Sequence, residues 1–228
     1  MSVLFDYPKK AAFGRVLPKT KIYEHGAPGA RVKELFVRQV EQIVWKYKLA
    51  PETINIPATK SVPEIQIFSI TLKAGELKED VLRCIDRAIP HPIIYEIYYD
   101  KKCRAMAAYK RPSEADSAKW VVSHYFGTKW IPENKPRKPL PVSLDLGALY
   151  EELLSPLIPY EPRKGERLRE RVERAEMIHA RQQELAKTEV RLAKEKQFNR
   201  KVAINAEIRT LSNQIKELTT PATGNRSK

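Results

Sequence analysis

No proline occurs between Arg163 and Thr220, and the single glycine of that stretch, Gly165, lies at its start; all seventeen prolines of the chain lie elsewhere. Proline costs roughly 3 kcal/mol in a helix interior, so a run of this length without one, filled with Arg, Lys, Glu and Gln, reads as helix. As one rod it would be on the order of 80 Å long at 1.5 Å per residue. A hairpin folded near Gln197 to Asn205 would be half that. Apolar positions recur at three- and four-residue spacing at both ends. Leu168, Val172 and Ala175 do so near the start, and Ile204, Ile208, Leu211, Ile215 and Leu218 near the finish, with Leu185, Leu192 and Phe198 between. Such a stripe cannot be buried by an isolated helix in water, so it requires its own other half, a second copy of the chain or another protein.

From Arg163 onward seventeen Lys and Arg face nine Asp and Glu, so this segment holds more than half of the net charge of +14. A basic helical arm suits polyanions. Its candidate nucleic-acid contacts are Lys187, Arg191, Lys194, Lys196, Arg200 and Lys201. A solvated coiled-coil face accounts for the same charges.

The preceding residues hold the proline and most of the β-forming side chains. Residues 1–30 read as an irregular basic arm in which Phe5, Tyr7, Phe13 and Tyr23 alternate with lysines and arginines. Those rings can stack on bases or plug into the domain behind them, and the second reading is adopted here. Arg31 to Lys48 has helical spacing, ended by Pro51. Glu64 to Lys73 reads as a strand whose apolar positions change phase, Ile65 and Ile67 on one face and Phe68, Ile70 and Leu72 on the other, which suggests a bulge or a strand covered on both sides. Leu77 to Ile89 forms the clearest helix, and Ile93–Tyr99 with Cys103–Tyr109 a hairpin about Asp100-Lys101-Lys102. Trp120 to Trp130 supplies a further strand. The fold class expected over 31–131 is α+β, a mainly antiparallel sheet covered by helices, with a ferredoxin-like order as the specific candidate, although Ser113–Lys119 is short for its second helix. A proline-rich connector follows over 132–162, with a short helix at 144–154, then the arm at 163–219 and a disordered tail at 220–228.

Chemistry is hard to find. Neither GxxxxGK[ST] nor GxGxxG is present, so nucleotide hydrolysis is not expected. The four histidines share no metal-ligand spacing, and His91, between Pro90 and Pro92, reads as a turn residue. Cys84 and Cys103 read as buried thiols, and no metal or cofactor is expected. Ser123 and His124 are adjacent and point to opposite faces of a strand. A metal-dependent nuclease would need convergent carboxylates beside a lysine. The weak candidates are Glu64, Glu96 and Asp100 with Lys73 or Lys110. The N-terminus lacks an apolar signal core and no long apolar run occurs, so a cytoplasmic location without membrane association is expected.

The phrases FGRVLPKTKIYE (13–24), WKYKLAPETINIPAT (45–59), VPEIQIF (62–68), IDRAIPHPIIYEI (85–97), AAYKRP (107–112) and EKQFNRK (195–201) together resemble a bacterial and archaeal family, the domain of unknown function 4391. The resemblance spans nearly the whole chain. It implies company with DNA methyltransferase and helicase genes in restriction-like defence clusters, and carries over no catalytic residue. The leading expectation is therefore a non-catalytic binding or scaffold subunit of such a complex, contacting a helicase or methyltransferase and DNA. A nuclease subunit and a self-associating coiled-coil protein stand as alternatives.

Overall fold

The computed structural model describes residues 4–116 and 119–220, so nearly all of the tail expected at 220–228 lies outside the described residues. The chain divides into two compact units, Met1–Leu157 and Ile158–Lys228.

In the first unit the elements run β1 (Phe5–Asp6), β2 (Ala12–Val16), α1 (Lys19–Gly26), α2 (Ala30–Gln39), β3 (Val40–Leu49), the one-turn α3 (Pro51–Ile54), β4 (Ile65–Leu72) and α4 (Glu79–Ala88). They continue through β5 (Ile93–Tyr99), β6 (Lys102–Pro112), β7 (Trp120–Gly127), β8 (Ile131–Pro132), β9 (Lys138–Pro139) and α5 (Leu146–Leu154). The main sheet has the order β2-β3-β4-β5-β6-β7, with β8 added to β6. Within this sheet only β4 and β5 pair in parallel, joined across α4, and its other pairs are antiparallel. The α+β sandwich expected from the sequence is present. Its strands are neighbours in chain order, however, so the ferredoxin-like arrangement, which interleaves its βαβ units, does not apply.

Side-chain alternation assigns the two faces. Phe68, Ile70 and Leu72 of β4, with Tyr95 and Ile97 of β5, form one buried cluster with Phe36 of α2, Ile22 of α1 and Val81, Leu82 and Ile85 of α4. Ile65, Ile67, Ile94, Ala105 and Ala107, of opposite parity, are buried as well, and α5 packs on β6 with Leu146, Leu149, Tyr150, Leu153 and Leu154 buried. The phase change read in β4 is thus a strand covered on both sides. Glu79 and Asp80 occupy the first turn of α4, where a helix dipole favours carboxylates. Its close approach to α1 depends on Gly26, where an added Cβ would meet the Cys84 carbonyl at 2.7 Å and Sγ at 2.8 Å.

Several expectations are corrected. The helix expected over 31–48 ends at Gln39, and Val40–Leu49 is a strand. Val40, Ile43, Val44, Trp45 and Tyr47 are β-branched or aromatic, and pairing with β2 and β4 outweighs their helical spacing. The irregular N-terminal arm contains β2, an edge strand, and α1; its rings plug inward, Phe13 on Trp45 at 4.1 Å and Tyr7 on Tyr47 at 4.8 Å. In the expected connector, β9 pairs with β1. The hairpin turn is the two residues Asp100 and Lys101, both at positive φ (45° and 56°), the left-handed conformation of a tight primed turn.

The second unit is a helical hairpin of α6 (Leu168–Lys194) and α7 (Phe198–Thr219) packed on each other. Neither proline nor glycine makes the turn at 195–197. Instead Glu195 Oε1 accepts from the backbone N–H groups of Lys196 and Gln197, both at 2.8 Å, giving the backbone a local alternative to the helix. The base is closed by arginines that donate to orphan carbonyls at the α7 C-terminus. Arg163 Nη2 reaches Glu217 O at 2.8 Å and Leu218 O at 3.0 Å, and Arg174 Nη1 reaches Leu218 O at 3.2 Å. Arg174 is held by Glu166 through bonds of 2.6 and 2.8 Å.

Candidate functional site

The nuclease candidates do not assemble. Glu64 precedes β4 and Gln66 is level with Ile93, so Glu96 lies three residues beyond that level and Asp100 in the turn after β5. At about 3.3 Å per residue, Glu64 and Glu96 are separated by some ~15 Å along the strands, and Asp100 lies further still. Glu96 also has the opposite parity to Tyr95 and Ile97, which face the helices. Lys73 Nζ donates to Val37 O at 2.8 Å, and Lys110 belongs to a separate cluster. Among the described residues no group of three or more His, Cys, Asp and Glu side chains can hold a metal ion.

Glu96, Lys110 and Glu64 each belong instead to a different network. Glu96, 1% exposed, receives Arg137 Nη1 on Oε1 at 2.6 Å and Arg137 Nη2 on Oε2 at 2.9 Å. Tyr98 Oη (2.7 Å) and Lys46 Nζ (3.1 Å) also donate to Oε2. Burial pushes the Glu96 carboxyl up, but hydrogen bonds from Arg137 and the nearby charge of Lys46 outweigh it and hold the group below the usual carboxylate range. Arg137 also donates to Phe5 O at 2.9 Å, so this ion pair ties β1 to the sheet. Such a carboxylate is too fully engaged to act as a metal ligand.

Lys110 is buried on the helix face of β6. Its ammonium donates to Asp86 O at 2.6 Å, Asp86 Oδ1 at 3.2 Å and Ile89 O. All three of its protons are used, two of them on carbonyls at the end of α4, so Lys110 is an internal helix cap. Tyr95 Oη (2.9 Å) and Tyr125 Oη complete the environment of Asp86 Oδ2. Burial raises the Asp86 carboxyl and lowers the Lys110 ammonium, each opposed by the other's charge.

Glu64 has a different company. Lys48 Nζ stands 3.1 Å from Oε2, Gln66 Nε2 donates to Oε1, and His91 Nε2 lies 3.3 Å from the same oxygen. The Pro90-His91-Pro92 turn brings that ring to the start of β4, where Gln66 N donates to Pro92 O at 2.9 Å. No local spacing announces this group, since Lys48, Glu64 and His91 come from three segments that only the sheet aligns. Cys84 and Cys103 are buried free thiols, both raised by burial.

In the hairpin, Ile204 and Leu211 are buried, while Leu185, Leu192, Ile208, Ile215 and Leu218 are half-buried. Phe198, expected in the helix seam, is instead 78% exposed. At 100° per residue it lies more than a quarter-turn from Ile204 and Leu211, pointing out of the seam. Lys187, Arg191 and Lys194 on the last turns of α6, Lys196 in the turn, and Arg200 and Lys201 on the first turn of α7 are all exposed, and the chain reversal gathers them at one tip. Arg191 pairs with Glu207; the other five make no ion pair among the described residues. Val190 on α6 and Val202, one helical turn after Phe198 on α7, are exposed as well. Near the base, Arg163 and Arg174 are spent on carbonyls and Glu166, whereas five of the six cations at the tip carry no ion pair among the described residues.

The model of the family described as domain of unknown function (DUF4391) matches residues 5–215. The chain belongs to that family. The match runs through the sheet unit and most of the hairpin, so both are parts of a DUF4391 protein. No curated protein and no solved structure matches it. No helix among the described residues is long and apolar enough to cross a membrane.

Proposed function

We propose that this DUF4391 protein is a non-catalytic binding subunit whose helical hairpin contacts DNA through its basic tip, within a restriction-like defence assembly alongside a helicase or methyltransferase. The observation that carries the reading is the concentration of Lys187, Arg191, Lys194, Lys196, Arg200 and Lys201 around the 195–197 turn, with Phe198 open to solvent among them. Lysines and arginines gathered at the turn of a helical hairpin neutralise phosphates without reading base edges, so binding is sequence-indifferent and salt-sensitive. An exposed ring beside them offers stacking to an unpaired base. The defence setting rests on the family resemblance alone. The separation of Glu64, Glu96 and Asp100 favours binding over nuclease chemistry, and the closed base of the hairpin supplies the α6 stripe with a partner from the same chain.

The test is fluorescence anisotropy of a labelled duplex titrated with the full chain and with a variant carrying Glu at all six basic positions. The reading requires the variant to lose most of its affinity while its helical circular dichroism is kept. Equal affinity of the two proteins would remove the DNA contact from the hairpin.

A further inference from the structure

We propose that the cavity enclosed by α1, β3, the start of β4 and the α4–β5 turn is a binding pocket for an amino-bearing nucleobase. The cavity has a volume of about 300 Å³. Its walls are apolar, from Leu17, Ile22, Trp45, Ala88, Ile89 and Pro90, and Glu64, Gln66 and His91 contribute its polar part. A mainly apolar recess with a few convergent polar groups is the usual form of a small-molecule site.

Two observations fix the ligand chemistry. Gln66 is 2% exposed, and its amide nitrogen is committed to Glu64, so its Oε1 must be an acceptor; that atom has no partner among the described residues. His91 Nδ1 also has none. With the Glu64 carboxylate facing Nε2, the neutral ring keeps its proton on Nε2 and Nδ1 carries the free lone pair. Burial is the largest influence on His91 and lowers its pKa, which keeps the ring neutral.

Folded proteins pair nearly all of their buried polar groups, so two unpaired acceptors on residues that border one cavity point to a donor brought from outside. A ligand that satisfies both presents N–H groups on a small, flat, uncharged body. The exocyclic amine of adenine or cytosine does this, and its ring faces suit Trp45 and Pro90. An alkylammonium fits less well. Glu64 is already engaged by Lys48, Gln66 and His91, so such a charge would be desolvated among apolar side chains without a free counter-ion. Lys21 and His25, exposed residues of α1, also line the cavity, and the Lys21 ammonium, 2.9 Å from Glu24, lies where a sugar-phosphate would emerge. The base can therefore come from a free nucleoside or from a strand.

Isothermal titration with adenosine, cytidine and uridine tests the pocket. Oligo(dA) and oligo(dT) are titrated in parallel into the full chain carrying the six charge reversals, so that binding by the hairpin does not contribute. Expected is binding of adenosine or cytidine at least ~tenfold tighter than uridine, as the loss of one hydrogen-bond donor to a buried acceptor implies. If the source is a strand, oligo(dA) shows that preference over oligo(dT) and the nucleosides do not bind. Gln66→Met is expected to abolish the preference with the fold retained by circular dichroism. Ala88→Leu, which narrows the cavity and leaves the polar atoms in place, is expected to weaken all binding. The proposal is overturned if neither the amino-bearing nucleosides nor oligo(dA) binds, if uridine or oligo(dT) binds equally well, or if both variants bind as the parent does.

Discussion

Replacing Lys110 by Met removes the ammonium and keeps a chain of similar length inside the sheet unit. The Lys110 side chain is 0% exposed, and its three donors satisfy the Asp86 and Ile89 carbonyls and Asp86 Oδ1. Without them, two carbonyls at the end of α4 lose their donor and a buried carboxylate loses its counter-charge. Breaking a buried pair by removing one partner costs about 3–5 kcal/mol. For a unit of this size each kcal/mol lowers Tm by about 2–4 °C, so a fall of roughly 6–20 °C is expected. Tryptophan fluorescence reads it cleanly, because Trp45, Trp120 and Trp130 all belong to the first unit. The pH dependence has a definite sign. Asp86 is an acid whose folded pKa is raised, so the stability it contributes is lost as pH climbs from the ordinary carboxylate value through the folded one. The deficit of the Met variant should therefore shrink as pH falls to about 3 and below, where Asp86 is mostly protonated folded or unfolded, and Asp86→Asn should restore part of it at pH 7. A loss under about 1 kcal/mol, or one indifferent to pH, would refute the assignment of Lys110 as cap and counter-ion.

Glu96 has the opposite sign. Its folded pKa is depressed, so its contribution is present above the ordinary carboxylate value and disappears as pH falls through the folded one; Glu96→Gln should flatten the acid limb of Tm between about pH 5 and 3. Gly26→Ala forces a methyl to within 2.7 Å of the Cys84 carbonyl and should cost about 1–3 kcal/mol in the same fluorescence melt. Phe198→Ala, at a position 78% exposed, should change stability by less than about 0.5 kcal/mol. It should nonetheless weaken binding to forked DNA with unpaired ends more than to a blunt duplex, read by anisotropy.

What the sequence revealed follows from the range of the interactions involved. The α4 stripe, the β5–β6 hairpin and the long helical arm are written in local spacing and turn residues, and the structure contains all three. Residues 40–49 misled because Val40, Ile43, Val44 and Tyr47 fit a helical period, while the preference that decides their fate comes from β2 and β4, far away in the chain. The sequence left a single rod and a hairpin folded near Gln197 to Asn205 as alternatives and did not place the break at 195–197, as a carboxylate bonding two adjacent amides leaves no proline or glycine behind. The cationic set at the tip was legible as composition, but not that a chain reversal gathers it. Glu64 stood out in the sequence. Its neighbours His91 and Lys48, like Arg137 beside Glu96, are joined to their carboxylates only by tertiary structure.

The salt dependence of DNA binding tests the central claim most directly. With six phosphate contacts at the hairpin tip, a plot of log affinity against log salt for duplex DNA should fall with a slope of about −5 for the parent chain and flatten toward zero when those six residues become Glu. The same steep slope in both proteins, or no slope in the parent, would contradict it.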